Sequence, residues 1–278
     1  MIRDITIGQY YPVQSLIHRM DPRTKLAITF FYLISLFLAN NKYMYLMAIG
    51  VLVIYVMLSK VPIRYMVKGL QGILAFILVS VVLNMFFTPG DPWIDWGIVQ
   101  ISWQGVRTAC YTMLRIILLV LGASVITYTT TPTKLTDGLE ATFHWLTHFK
   151  VPVHEVAMMV SIALRFIPIL VEELNKIMKA QQARGADFES GSVLQRLKSL
   201  FPVILPMFVS AIRRANELAT AMEARCYRGG EGRTKMKPLK YTGIDIVAYV
   251  ALFAYVAGMI GLRIALSESF LQSILSGV

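Results

Sequence analysis

The 278-residue chain is 56% hydrophobic and 15% charged, with 27 Lys and Arg against 16 Asp and Glu, a formal net charge of +11. Soluble domains carry about 25% charged residues, so the composition excludes an ordinary soluble enzyme and describes a polytopic, all-α membrane protein. The basic residues are dispersed among apolar segments. That excludes a nucleic-acid surface and assigns the excess charge to loops on one side of a membrane, in contact with anionic lipid or acidic partners.

In chain order, the first 25 residues are polar and mixed, and no small-residue cleavage site follows an early apolar run, unlike a removable signal peptide. Spans are expected at 26–39, 44–58, 69–87, 106–128 and 243–266. Arg19, Arg23 and Lys25 precede the first, and Lys60, Arg64 and Lys68 lie between the second and third. The loop 88–104 has Asp91, Asp95 and Trp93, Trp96 and Trp103 but no Lys or Arg. The N-terminus is therefore expected inside, that loop outside with its tryptophans as an interfacial belt, and residues 132–240 inside. Of the charges near spans, Arg107, Asp245 and Arg263 are placed to snorkel to an interface, whereas Arg115 is deep and calls for a polar contact or ion pair. Cys110 is in an apolar segment and Cys226 in a basic one, so no disulfide is expected.

This gives three parts: residues 1–131, with four spans; 132–240; and 241–278, with the last span and a tail. The middle part holds 16 Lys/Arg and 10 Asp/Glu, yet 151–170 and 200–212 are apolar enough that hydropathy leaves open whether they enter the membrane. We read two long amphipathic helices, 153–184 and 193–225. Their ends carry a repeat. Asn175-Lys-Ile177-Met-Lys-Ala180-Gln-Gln-Ala183-Arg184 recurs as Asn216-Glu-Leu218-Ala-Thr-Ala221-Met-Glu-Ala224-Arg225, a shared form N-x-[IL]-x-x-A-x-x-A-R. On a helix the arginine lies seven residues past the Ile or Leu, almost two turns, so both share a face. Each copy is either a docking point for one of two similar partners or an ordinary helix end, where the dipole favours a cation. Gly185 is expected to stop the first helix, and Thr131-Pro132 to start one after the fourth span.

No Gly-Lys dipeptide occurs, so a Walker A motif is absent. Any ATP would be bound, with its magnesium, by another chain, and no cofactor is expected here. His144 and His148 are spaced i, i+4 with His154 nearby, but no Glu or Cys completes a zinc motif.

Four stretches together resemble the T component (EcfT) family of energy-coupling-factor (ECF) transporters. They are Gly8-Gln-Tyr10-Tyr-Pro12-Val-Gln-Ser15-Leu-Ile-His18 with Asp21-Pro22-Arg23-Thr24-Lys25; Thr130-Thr-Pro132-Thr-Lys-Leu135 with Gly-Leu-Glu140; Ala163-Leu-Arg165-Phe-Ile-Pro168 leading to Glu172 and Ala180-Gln-Gln-Ala183-Arg184-Gly185; and Ala221-Met-Glu-Ala224-Arg225-Cys226-Tyr227. The resemblance implies a non-catalytic coupling subunit in a prokaryotic plasma membrane. It would join two ABC ATPases to a separate substrate-binding S component for vitamin or metal-ion uptake. The family's paired X-Arg-X motifs fall on Ala183-Arg184-Gly185 and Ala224-Arg225-Cys226, with Cys226 where the family often has glycine. Candidate S-component contacts are Met158, Met159, Ile162, Leu164, Val203, Leu205, Met207 and Phe208. The alternatives are a conventional ABC permease forming its own substrate path and a membrane metalloenzyme using His144, His148 and His154.

Overall fold

In the computed structural model, the described residues are 10–88, 92–96, 99–186, 188, 193–230, 236 and 238–275, with side chains left out at 92–101, 193–198 and 266–275. The elements are α1 (Leu16–Arg19), α2 (Pro22–Leu38), α3 (Lys42–Ser59), α4 (Ile63–Gln71), α5 (Leu74–Phe87), a hairpin of β1 (Pro92–Trp96) and β2 (Val99–Ser102), α6 (Trp103–Thr129), α7 (Pro132–Thr142), a 3-10 turn (His144–Phe149), α8 (Val153–Ala183), α9 (Val193–Ala224) and α10 (Gly243–Leu275). The expected all-α membrane fold is present, with one short antiparallel hairpin added, in which Asp95 pairs with Gln100. The side chains of Trp93 and Trp96 lie outside the described residues, and Trp103 is exposed. The chain forms two compact units, 1–138 with 239–278, and 139–238.

Among the described residues, α3, α6, α8 and α10 are long and apolar enough to cross a membrane. At 17 residues, α2 is about 26 Å long, short of a ~30 Å hydrocarbon core. The expected span 69–87 is not one unbroken helix. It breaks between Gln71 and Leu74, and α4 and α5 meet at a 62° bend. Hydropathy windows run across the break, but Gly69 and Gly72 weaken the helix there. Upstream, Arg64 and Lys68 face away from buried Met66, a period that suits a half-buried helix.

The first unit is centred on α2, α3, α6 and α10, where Tyr32, Leu36, Met44, Leu118, Val125 and Tyr255 are buried together. Close approach comes from Gly122, where an added Cβ would fall 2.5 Å from the Tyr32 ring, and from Gly138, where it would fall 2.7 Å from Pro22 Cβ. The helix starts are sequence-coded. Asp21 caps α2 by accepting from Arg23 N–H at 2.9 Å, with Pro22 at the first position, and Thr131 Oγ1 accepts from Lys134 N–H at 3.4 Å at the start of α7.

Two charges differ from expectation. Asp245 does not snorkel. It is 0% exposed and reaches back to Thr242 at the start of α10, accepting from its N–H at 2.8 Å and its hydroxyl at 2.7 Å. Its second oxygen accepts from Asp21 N–H at 2.8 Å, tying the start of α2 to that of α10. Lys25 is also enclosed, and its Nζ donates to Thr129 O at 3.0 Å and Thr130 Oγ1 at 3.2 Å. The first two stretches that carry the family resemblance thus bond to each other. Deep Arg115 makes the expected polar contact, donating to Tyr45 Oη at 3.0 Å and to Ala39 O, at the end of α2, at 3.1 Å.

Candidate functional site: two arginine helix ends and their crossing

The second unit is built on α8 and α9, which pack on each other. Both end in one motif. Ala186 N–H bonds to Gln181 O at 3.0 Å and Gly185 N–H to Gln182 O at 2.9 Å; Tyr227 N–H bonds to Met222 O at 3.1 Å and Cys226 N–H to Glu223 O at 2.9 Å. Each is a Schellman closure with its arginine, Arg184 or Arg225, at the last half-helical position. The next residue takes a left-handed conformation, φ 90° at Gly185 and φ 57° at Cys226. Glycine adopts this freely; cysteine meets a Cβ clash of roughly 1 kcal/mol. Ala183, Arg184, Gly185, Ala224, Arg225 and Cys226 are all exposed.

The crossing is held by polar groups that the sequence reading missed. Arg214 donates to Glu173 Oε2 from Nη2 at 2.9 Å and Nε at 3.2 Å, and the Ser210 hydroxyl donates to the other oxygen. Glu173 and Arg214 are 41 residues apart, the offset of the repeat, so equivalent positions of the two copies meet. Opposite charges two residues before each Asn were the available signal. From this point each arginine lies eleven residues onward, roughly 16 Å along its helix. Gln181, further along α8, donates to Pro202 O, earlier on α9, at 3.5 Å. The helices therefore cross with an antiparallel component, and the arginine ends diverge. Pro206 has no N–H for the Pro202 carbonyl, which leaves that oxygen free for Gln181.

Apolar side chains cover the outer faces. Leu205 and Phe208 are each 62% exposed and Met159 is 59% exposed; Met158, Ile162, Leu164 and Met207 are half-buried. Val203 is 1% exposed and packs inside the unit rather than facing outward. The stripe on α9 is wider than the sequence reading had it: Phe201, Ile204, Val209 and Ile212 are exposed at helical spacing with Leu205 and Phe208.

The histidines separate. His154 Nδ1 bonds to Glu140 Oε1 at 2.8 Å, while His144 and His148 are exposed on the 3-10 turn. Among the described residues no group of three His, Cys, Asp or Glu could hold a metal. Cys110 and Cys226 are both free thiols.

Apolar helices whose exposed faces are hydrophobic, joined to a unit of two crossed helices, define a multi-span helical membrane protein with a polar-ended helix pair. The CbiQ family, described as "Cobalt transport protein", matches residues 13–236. The energy-coupling factor transporter transmembrane protein EcfT of Ruminiclostridium cellulolyticum is 50% identical, over 89% of this chain and 92% of that protein. The protein of the same name from Thermosediminibacter oceani is 46% identical over 93% and 98%, and that from Bacillus subtilis 45% over 95% and 100%. The chain belongs to this CbiQ/EcfT family of energy-coupling factor transporter transmembrane proteins.

Proposed function

We propose that this chain is the non-catalytic coupling subunit of an ECF-type importer in a prokaryotic plasma membrane, with its N-terminus cytoplasmic. Two ABC ATPases bind ATP and Mg²⁺, and each holds one arginine end. A separate S component carries the vitamin or metal ion and rests on the apolar faces of α8 and α9. The observation that carries this reading is the pair of similar arginine caps whose helices cross at equivalent positions: two like ends fit two like partners. Guanidinium suits the contact because it stays charged and can hold a carboxylate with two parallel hydrogen bonds. When the ATPases close on ATP, their grooves approach, the ends follow, and the crossed helices pass the motion to the S component.

The test is recovery of the ATPases with the tagged chain, together with uptake in reconstituted vesicles, after membrane insertion is checked. A hydrogen bond to a charged group contributes about 1.5–3 kcal/mol. Arg184→Ala or Arg225→Ala should therefore weaken ATPase retention by roughly 10–100-fold, and the double variant should abolish uptake. Arg→Lys should restore part of it, and Arg184→Glu should be worse than Ala. A well-inserted double alanine variant with normal ATPase recovery and uptake would overturn the proposal.

A further inference from the structure

A cavity of about 340 Å³ lies within the first unit, between α1, α2, α3 and α10. That is the lower end of ligand pockets, ~300–1,000 Å³, and room for on the order of ten groups of water or methylene size at ~30 Å³ each. Its walls are apolar except for a few hydroxyls. Tyr32, which lines it, is 5% exposed, and its hydroxyl has no hydrogen-bond partner. Thr29 and Tyr55 also line it, and their enclosed hydroxyls face each other. A buried hydroxyl without a partner is costly, so that of Tyr32 points to an occupant that supplies an acceptor.

The cavity opens sideways. Leu16, Ile54, Leu58 and Val247 line it yet are largely exposed, on helices whose apolar faces meet lipid. A ligand therefore enters from the bilayer. At the same end, Arg19 lies between the lining residues Ile17 and Met20, and Lys60 lies two residues past Leu58. Among the described residues neither has a carboxylate partner. Lys60 also holds a left-handed conformation, φ 56°, which glycine would adopt with less strain. Aliphatic walls, a hydroxyl donor and two cations at the mouth match one molecule: chain, ester and phosphate. We propose that this groove holds an acyl chain of an anionic phospholipid, with an ester oxygen accepting from Tyr32 and the phosphate between Arg19 and Lys60.

The experiment is native mass spectrometry of the purified full chain, stripped of lipid in mild detergent and then titrated with phosphatidylglycerol or phosphatidylcholine. One phosphatidylglycerol should be retained, at least about tenfold more tightly than phosphatidylcholine, since each basic residue near an anionic headgroup contributes about 1 kcal/mol. Arg19→Gln with Lys60→Gln should remove that preference, weakening phosphatidylglycerol far more than phosphatidylcholine, whose choline offsets its phosphate charge. Ala251→Trp, which fills the groove, should lose both lipids, and Tyr32→Phe should weaken both several-fold. Equal retention of the two lipids by the wild type would overturn the proposal. So would full retention in Ala251→Trp, or a Tyr32→Phe variant that melts higher and binds lipid as before. If Ala251→Trp does not fold, the glutamine pair, at positions outside the groove walls, still decides. If Val247→Cys stays open to a lipid-soluble maleimide with phosphatidylglycerol present and is protected only by an added S component, the occupant is a protein and the proposal fails.

Discussion

At Cys226 a side chain occupies a backbone conformation that its counterpart, Gly185, enters without strain. Cys226→Gly should raise the unfolding midpoint, by about 1 kcal/mol of stability, and Gly185→Ala should lower it by a similar amount. Thermal unfolding of the purified chain checks both, and no gain in Cys226→Gly would mean that the strain is relieved elsewhere. The arginines themselves were legible because repeat and cap are both local. Asp245 was not. Near the end of an apolar run a carboxylate reads as snorkelling, and the donor that buries it, Asp21 N–H, lies 224 residues away. Asp245→Ala strands that N–H and both Thr242 donors, so it should cost about 3 kcal/mol or more. A loss below 1 kcal/mol would show that water replaces the carboxylate.

At the scale of elements, glycines separate contact from propensity. Gly50 and Gly138 both lie inside helices, α3 and α7. An added Cβ meets nothing within 4 Å at Gly50, whereas at Gly138 it meets Pro22 at 2.7 Å. Gly50→Ala should stabilise by roughly 0.5–1 kcal/mol, and Gly138→Ala should destabilise by about 1–3 kcal/mol as α7 is pushed from α2. Equal shifts in midpoint would mean that α7 gives way freely. Long apolar helices and their caps were legible from hydropathy and local chemistry. The α4–α5 bend was not, since apolarity persists through it and only two glycines mark it. Nor was the Glu173–Arg214 contact, because single-helix periodicity does not reveal which faces of α8 and α9 meet.

For the whole molecule, the Lys and Arg distribution sets an orientation that labelling can read. Cys110 and Cys226 are both exposed and must first be replaced. Ser102 is a poor probe, because it is buried, caps α6 at Gly105 N–H and donates to Thr88 O. Gln104 and Glu217 are exposed instead. An impermeant maleimide should reach Gln104→Cys in intact cells and Glu217→Cys only after permeabilisation. The reverse pattern would invert the topology and place the second unit out of reach of the proposed ATPases. The proposed assembly also fixes stoichiometry: native mass should give one chain per two ATPases, and one per ATPase would favour a permease that works as a dimer.

The Glu173–Arg214 contact makes α8 and α9 two arms of equal reach about a common fulcrum. Equal and opposite pulls on Arg184 and Arg225 then add as torque and cancel as net displacement. The pair would turn about that point as one body, with no net drag. A pull on one arm alone would instead translate the fulcrum, so two-sided attachment is a mechanical requirement for clean rotation as well as a gain in affinity.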